Sequence, residues 1–102
     1  MAVRVLIVDD HAPFRALARM LLVLDGFDVV LLDVQLPDED GFAVAGTLAA
    51  HRPAPAVVLV SSRSRSDYGH RVTASAAHGF IAKAELSGAA LRLVLGEETR
   101  AS

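Results

Sequence analysis

The 102-residue sequence contains no cysteine, which excludes disulfides, thiolate catalysis and cysteine-based zinc sites. It has no cluster of basic residues, and its net charge of -2 argues against a domain that itself binds nucleic acid. It also lacks an apolar run long enough to span a bilayer and the charged start and cleavage site of a signal peptide. We therefore expect one soluble, cytoplasmic domain whose partners are proteins, with no membrane contact.

Short apolar runs alternate along the chain with segments of helical periodicity. The runs predict strands at residues 3–8, 29–33, 56–60 and 79–82. The periodic segments predict helices at residues 13–25, 42–51, 67–78 and 86–95. Four strands alternating with helices call for a parallel sheet covered by helices on both faces. We expect residues 1–96 to form this domain and residues 97–102 to be a polar tail or a linker.

Polar side chains follow each predicted strand at the point where it ends. They are Asp9, Asp10, Asp33, Ser61, Ser62 and Lys83. Because the carboxyl ends of parallel strands lie along one edge of the sheet, these residues are expected to converge there. Each has a simple structural explanation by itself; Asp33, for example, is typical of a residue that caps a turn. Their coincidence at one edge favours a functional site.

The predicted cluster has the composition of a phosphoryl-transfer site. Carboxylates packed together repel one another unless a cation lies between them, and Mg²⁺ prefers such oxygen ligands. With the metal bound, one carboxylate can attack phosphorus and form an aspartyl phosphate. Lys83 can supply an ammonium group and Ser61 a hydroxyl donor to the phosphoryl oxygens.

Four stretches of the sequence, with their spacings, resemble the receiver domain of two-component response regulators. They are VLIVDDH at residues 5–11, LLDVQLPDEDG at residues 31–41, VLVSS at residues 58–62 and GFIAK at residues 79–83. The resemblance implies a flavodoxin-like, three-layer αβα fold with a parallel sheet. It also implies a phosphoacceptor with self-catalysed phosphoryl transfer and hydrolysis, rather than an enzyme.

The resemblance also implies a role for each matching residue at the site. Asp33 corresponds to the phosphoacceptor, which takes its phosphoryl group from a sensor histidine kinase or a phosphotransfer protein. Asp10 corresponds to a direct Mg²⁺ ligand and Asp9 to one that acts through water. Asp33 and the backbone carbonyl of Gln35 complete the metal's protein ligands, and Lys83 contacts the phosphoryl group.

The resemblance implies that a second group of matching residues takes part in the conformational switch. Ser61 corresponds to the hydroxyl that moves toward the phosphoryl group, and Phe80 to the aromatic residue whose rotamer follows it. Gln35 and Arg63 lie where the family tunes the lifetime of the phosphate. The added negative charge would reorder the loop at residues 62–66 and shift the population between two conformations.

The chain departs from the family between Asp10 and Asp33, where only 22 residues intervene. The first predicted helix and the strand before Asp33 fill this interval, so the family's second strand and second helix do not fit. Residues 3–8 would then form an exposed apolar edge strand, and the first helix would need a changed connection. We therefore expect a homodimer or larger assembly, through edge pairing or a domain swap.

Two other functions are compatible with the same residues. The shortened domain could have lost its phosphorylation site and serve only as a docking or assembly module. An aspartate-nucleophile phosphatase would usually carry a second acid two residues after the nucleophile, where this chain has Gln35. The four histidines share no helical face, which argues against a zinc cluster.

Overall fold

The structure, a computed structural model, describes residues 4–9, 28–36, 39–51 and 54–96. Four strands lie in these residues: β1 (Val5–Val8), β2 (Val29–Asp33), β3 (Ala56–Ser61) and β4 (Gly79–Ala82). The helices are α1 (Gly41–Ala50), α2 (Arg65–Tyr68), α3 (Arg71–Ala74) and α4 (Gly88–Leu95), and a 3₁₀ turn spans Lys83–Glu85. The first predicted helix, Asp10 and the predicted tail lie outside the described residues.

The four strands form one parallel sheet in the order β1-β2-β3-β4. Flavodoxin-like sheets have the order 2-1-3-4-5, and removing the second strand from that order leaves the order observed. Within the described residues, no strand lies beyond β1. The prediction of a flavodoxin-like sheet reduced to four strands is therefore confirmed.

Each face of the sheet carries its own apolar core. On one face, side chains of β1, β2 and β3 pack with Val44, Ala45 and Leu48 of α1, and Phe80 of β4 lies at the margin of this core. On the other face, the strands pack against α4 through Ala90, Leu91, Val94 and Leu95. The predicted apolar side of the last helix is therefore confirmed. All five residues of β2 are buried, because both of its faces are covered.

Helix α1 begins one residue before its predicted start. Asp40 is its N-cap, and the Asp40 carboxylate accepts a hydrogen bond of 2.9 Å from the backbone N–H of Phe42. The helix ends at Ala50, where His51 donates its backbone N–H to the carbonyl of Leu48. This helix begins eight residues after Asp33, so it follows the loop at the end of the strand directly.

The prediction of a single helix over residues 67–78 is wrong. The structure has two four-residue helices, α2 and α3, and a bend over residues 75–78. Gly69 ends α2 with a φ of 60°, a positive value that glycine adopts more readily than other residues and that interrupts the helix. The predicted cap at Ser66 is also wrong. Ser64 is the N-cap of α2, and Asp67 accepts a hydrogen bond from its backbone N–H at 3.1 Å.

The last helix begins at Gly88, two residues later than predicted. Residues 83–85 form a 3₁₀ turn before it, and the side chain of Ser87 caps α4 by accepting a hydrogen bond of 3.0 Å from the backbone N–H of Ala90. The turn places Lys83 directly after β4. None of the helices in the described residues has the length and apolarity that a bilayer crossing requires.

Candidate functional site

Asp33 is the last residue of β2, and only 6% of its surface is exposed. One carboxylate oxygen, Oδ1, accepts a hydrogen bond of 2.9 Å from the backbone N–H of Gln35. The other oxygen, Oδ2, accepts from Nζ of Lys83 at 2.8 Å. The carboxylate therefore caps the turn after the strand, as a structural role would require, and also pairs with a lysine fifty residues away.

The backbone around Asp33 is held by its neighbours on both sides. Val34 donates its N–H to the carbonyl of Val60 at 3.0 Å, and Gly41 donates to the carbonyl of Val34 at 2.9 Å. A side chain at position 41 would collide with this segment: a Cβ there would contact the carbonyl oxygen of Asp33 and lie 2.6 Å from Cα of Val34. Glycine is thus required where α1 starts, because the helix begins directly against the strand end.

Lys83 reaches Asp33 because β4 pairs with β3 and Ser61 is aligned with Ala82. The lysine side chain is 46% exposed, whereas that of Asp33 is 8% exposed. A half-exposed ammonium is screened by water, so we expect the pair to contribute modestly to stability. Its geometry instead places a half-exposed positive charge beside a buried carboxylate.

Replacing Lys83 with methionine should lower the free energy of unfolding by about 1 kcal/mol, because the buried carboxylate of Asp33 loses a charged donor that is itself partly screened. Urea denaturation measures the change. In a double-mutant cycle with Asp33→Asn, the lysine substitution should cost less in the asparagine background. Strictly additive effects would show that the two side chains do not interact.

Ser61 ends β3 and is buried, with 1% of its surface exposed. Its hydroxyl accepts a hydrogen bond of 3.1 Å from the backbone N–H of Arg63. It also lies 2.7 Å from the hydroxyl of Tyr68. Tyr68 was not predicted as a site residue, because a lone tyrosine seven positions after a serine matches no sequence pattern. The contact is created by the loop and by α2.

Phe80, the predicted switch aromatic, lies on β4 and is half-buried. Its ring meets that of Tyr68 edge-on, with 5.9 Å between the centroids. The side chains of Gln35 and Arg63 are exposed at the loops that follow β2 and β3. The structure therefore brings Asp33 and Lys83 into direct contact, and joins Ser61 to Phe80 through Tyr68.

The predicted metal ligands are only partly described. Asp9 directly follows β1, and Asp10 lies outside the described residues. Among the described residues, no three acidic or histidine side chains form a group that could hold a metal ion. The predicted set includes Asp10, so it is not tested. Its oxygen donors suit Mg²⁺, and each oxygen of the Asp33 carboxylate keeps a lone pair beyond its hydrogen bond.

The profile of the response regulator receiver domain family matches residues 23–93. Among curated proteins, the chain is 38% identical to protein-glutamate methylesterase/protein-glutamine glutaminase 6 of Anaeromyxobacter dehalogenans, over 85% of this chain and 31% of that protein. It is 26% identical to the DNA-binding transcriptional activator EvgA of Escherichia coli K12, over 78% of this chain and 50% of that protein. The chain thus spans less than a third of the length of the first of these relatives and half that of the second.

A solved structure shares the fold. The BeF3-activated receiver domain of DrrB, a Thermotoga maritima protein, superimposes with a TM-score of 0.67 and 21% identity, covering 95% of this chain and 97% of that domain. This likeness shows the fold. The family match over residues 23–93 shows that the chain belongs to the response regulator receiver domain family.

The alignment with the methylesterase also supports the shortened sheet. It has 109 positions, and 85% of the 102-residue chain is about 87 residues, so about 22 positions have no counterpart in this chain. A strand of about five residues and a helix of about eleven, with their loops, have this size. The number of unmatched positions therefore agrees with the loss of one strand and one helix.

Proposed function

We propose that this chain is a receiver that accepts a phosphoryl group on Asp33 and signals by a change of conformation. The observation that carries the proposal is the pairing of a buried carboxylate at the carboxyl edge of the sheet with the Lys83 ammonium, 2.8 Å away. A buried charge is costly unless it is paired. A buried carboxylate that is paired with a half-exposed lysine at the edge of the sheet is suited to act as a reactive group there.

In the proposed reaction, an oxygen of the Asp33 carboxylate attacks the phosphorus of the donor. A new P–O bond forms while the bond from phosphorus to the donor atom breaks, and the electron pair leaves with the donor. Lys83 then contacts the phosphoryl oxygens and offsets their charge. Mg²⁺, held by Asp9, Asp10, Asp33 and the Gln35 carbonyl, would neutralise negative charge at the same site.

Switching would proceed from the site to one face of the domain. Ser61 would donate its hydroxyl to the new phosphoryl group, and Phe80 would change rotamer as the space beside Ser61 opens. Gln35 and Arg63 are exposed beside the site, where they can control the access of water to the aspartyl phosphate. They are therefore our candidates for tuning its lifetime.

The proposed phosphodonor is a sensor histidine kinase or a phosphotransfer protein, as the family membership favours. The relatives named above carry further sequence beyond the part that this chain matches. The cytoplasmic location of the chain stays a prediction.

The proposal is tested by incubating the protein with acetyl phosphate and Mg²⁺ and measuring its intact mass. We expect one added phosphoryl group, which EDTA should prevent. A protein that acquires no adduct under these conditions would instead fit the docking-module alternative. In that case Mg²⁺ titration would also leave the NMR signals of Asp9, Asp10 and Asp33 unchanged.

We also propose that the chain self-associates through β1. Among the described residues, this strand is paired on one side only, with β2, and its sequence is apolar. An apolar edge strand invites pairing with a second copy. Light scattering at micromolar concentration should show a dimer or larger assembly, and Ile7→Lys, at a position of this strand that is 57% exposed, should shift it toward monomer. A monomer in the unmodified protein would contradict the prediction.

A further inference from the structure

The hydrogen bond between Ser61 and Tyr68 lies where the proposed switch must act. The two hydroxyl oxygens are 2.7 Å apart, and the serine is almost fully buried. Phe80, at the position that corresponds to the family's switch aromatic, has no hydroxyl with which to hold Ser61. In this chain the hydroxyl partner of Ser61 is supplied by a different element, the short helix α2.

Tyr68 is also the central ring of an aromatic cluster. Its ring meets Phe42 edge-on with 5.6 Å between centroids, and it meets Phe80 at 5.9 Å. Tyr68 therefore lies between the helix that follows β2 and the strand β4. Because the Tyr68 ring packs against Phe80 and its hydroxyl contacts Ser61, a change in the rotamer of Phe80 would alter the packing of Tyr68.

The element that carries Tyr68 is suited to movement. Helix α2 has four residues, none of them buried, and it ends at Gly69, which has a positive φ. Tyr68 also lines an open cleft of about 470 Å³ together with Gln35, Glu39 and Arg71. A tyrosine released from Ser61 would therefore find water for its hydroxyl in this cleft, which avoids leaving a polar group unsatisfied.

We propose that Tyr68 is a positioning residue for Ser61: its hydroxyl holds the serine in the unphosphorylated state and is released when Ser61 turns to the phosphoryl group. This inference rests on the proposed function of Asp33. Either hydroxyl can be the donor in this contact, and the Ser61 oxygen also accepts the N–H of Arg63. The exchange therefore rests on distance: a Ser61 hydroxyl that rotates toward Asp33 lengthens its 2.7 Å contact with Tyr68, gains a phosphoryl contact, and leaves α2 to carry the change to the surface.

The chain contains one tyrosine and no tryptophan, so its intrinsic fluorescence reports Tyr68 alone. The experiment adds BeF3⁻, as a phosphoryl mimic, to the Mg²⁺-loaded protein and follows tyrosine fluorescence. Fluorine NMR of the bound BeF3⁻ reports occupancy of Asp33 independently. We expect the fluorescence to change in proportion to occupancy. In Ser61→Ala the fluorescence should start at a different level and respond little to BeF3⁻.

Tyr68→Phe removes the hydroxyl and keeps the ring. Because the hydrogen bond stabilises only the unphosphorylated state, we expect BeF3⁻ to bind about two- to tenfold more tightly to this variant. Phe42→Leu is the matched control, since it removes a ring contact of Tyr68 and leaves the hydrogen bond. It should lower the melting temperature with little change in BeF3⁻ affinity.

The outcomes separate the inference from the proposed function. If BeF3⁻ binds but neither the fluorescence of the unmodified protein nor the affinity of Tyr68→Phe changes, the role of Tyr68 is overturned while the role of Asp33 stands. If fluorine NMR detects no bound BeF3⁻, the proposed function and this inference both fail. Equal affinity changes in Tyr68→Phe and Phe42→Leu would assign Tyr68 a packing role only, and would also overturn the inference.

Discussion

Asp33→Asn is expected to abolish the phosphoryl adduct that acetyl phosphate and Mg²⁺ form on the unmodified chain. The amide oxygen of asparagine is a far weaker nucleophile than a carboxylate, and the substitution also removes one negative charge from the proposed metal site. The fold should survive, since the asparagine oxygen can still accept the N–H of Gln35 that Asp33 accepts at 2.9 Å. Intact-mass measurement and circular dichroism test the two statements separately.

Asp40→Asn is the matched control for this substitution. Asp40 lies on the loop that follows the same strand, and asparagine also serves well as a helix N-cap. The change removes an exposed ion pair with Arg71, which contributes little to stability. This variant should be phosphorylated as the unmodified protein is. An adduct that persists in Asp33→Asn and disappears in Asp40→Asn would show that Asp40, and not Asp33, is the phosphoacceptor.

Gly41→Ala should destabilise the domain by about 1–3 kcal/mol, because the new methyl group would overlap main-chain atoms that cannot rotate away. A Cβ at this position would lie 2.6 Å from Cα of Val34 and 2.8 Å from its carbonyl oxygen. Relief requires α1 to move away from the end of β2, which would displace Asp33. We therefore expect a lower urea midpoint together with slower phosphorylation.

Gly46→Ala is the control in the same helix, and its expected effect has the opposite sign. A Cβ at position 46 would meet no atom within 4 Å, and the residue is exposed in the middle of α1. Alanine in a helix interior is more stable than glycine by about 0.5–1 kcal/mol. Phosphorylation should not change. If both substitutions destabilised the domain equally, the close approach at Gly41 would not be the cause.

The strands were predicted closely because each one shows a strong sequence signal. Residues 29–33 and 79–82 were predicted within the bounds that the structure has, and the third strand was one residue short. Buried parallel strands are continuous apolar runs, so their composition alone marks them. The polar residues that follow each strand then indicated the edge of the sheet at which Asp33 and Lys83 meet.

The prediction of a helix over residues 67–78 was wrong because single capping and terminating residues, and not the periodic pattern, determined where helices begin and end. Ser64 and Asp67 begin a helix earlier than the periodic pattern indicates, and Gly69 ends it after four residues. The side chain of Ser75 then donates to the carbonyl of Val72 at 2.7 Å, which ends the second short helix. Caps and left-handed turns depend on single residues, whereas a periodic pattern averages over many.

The sequence by itself determined the class of the sheet, the buried strand that carries Asp33 and the polar residues at the strand ends, because these follow from local composition and spacing. Only the tertiary structure decided which of these residues touch. It paired Lys83 with Asp33 across fifty positions, placed Gly41 against the strand end, and joined Ser61 to Tyr68. Such contacts depend on strand register and on where short helices end, and a one-dimensional pattern contains neither.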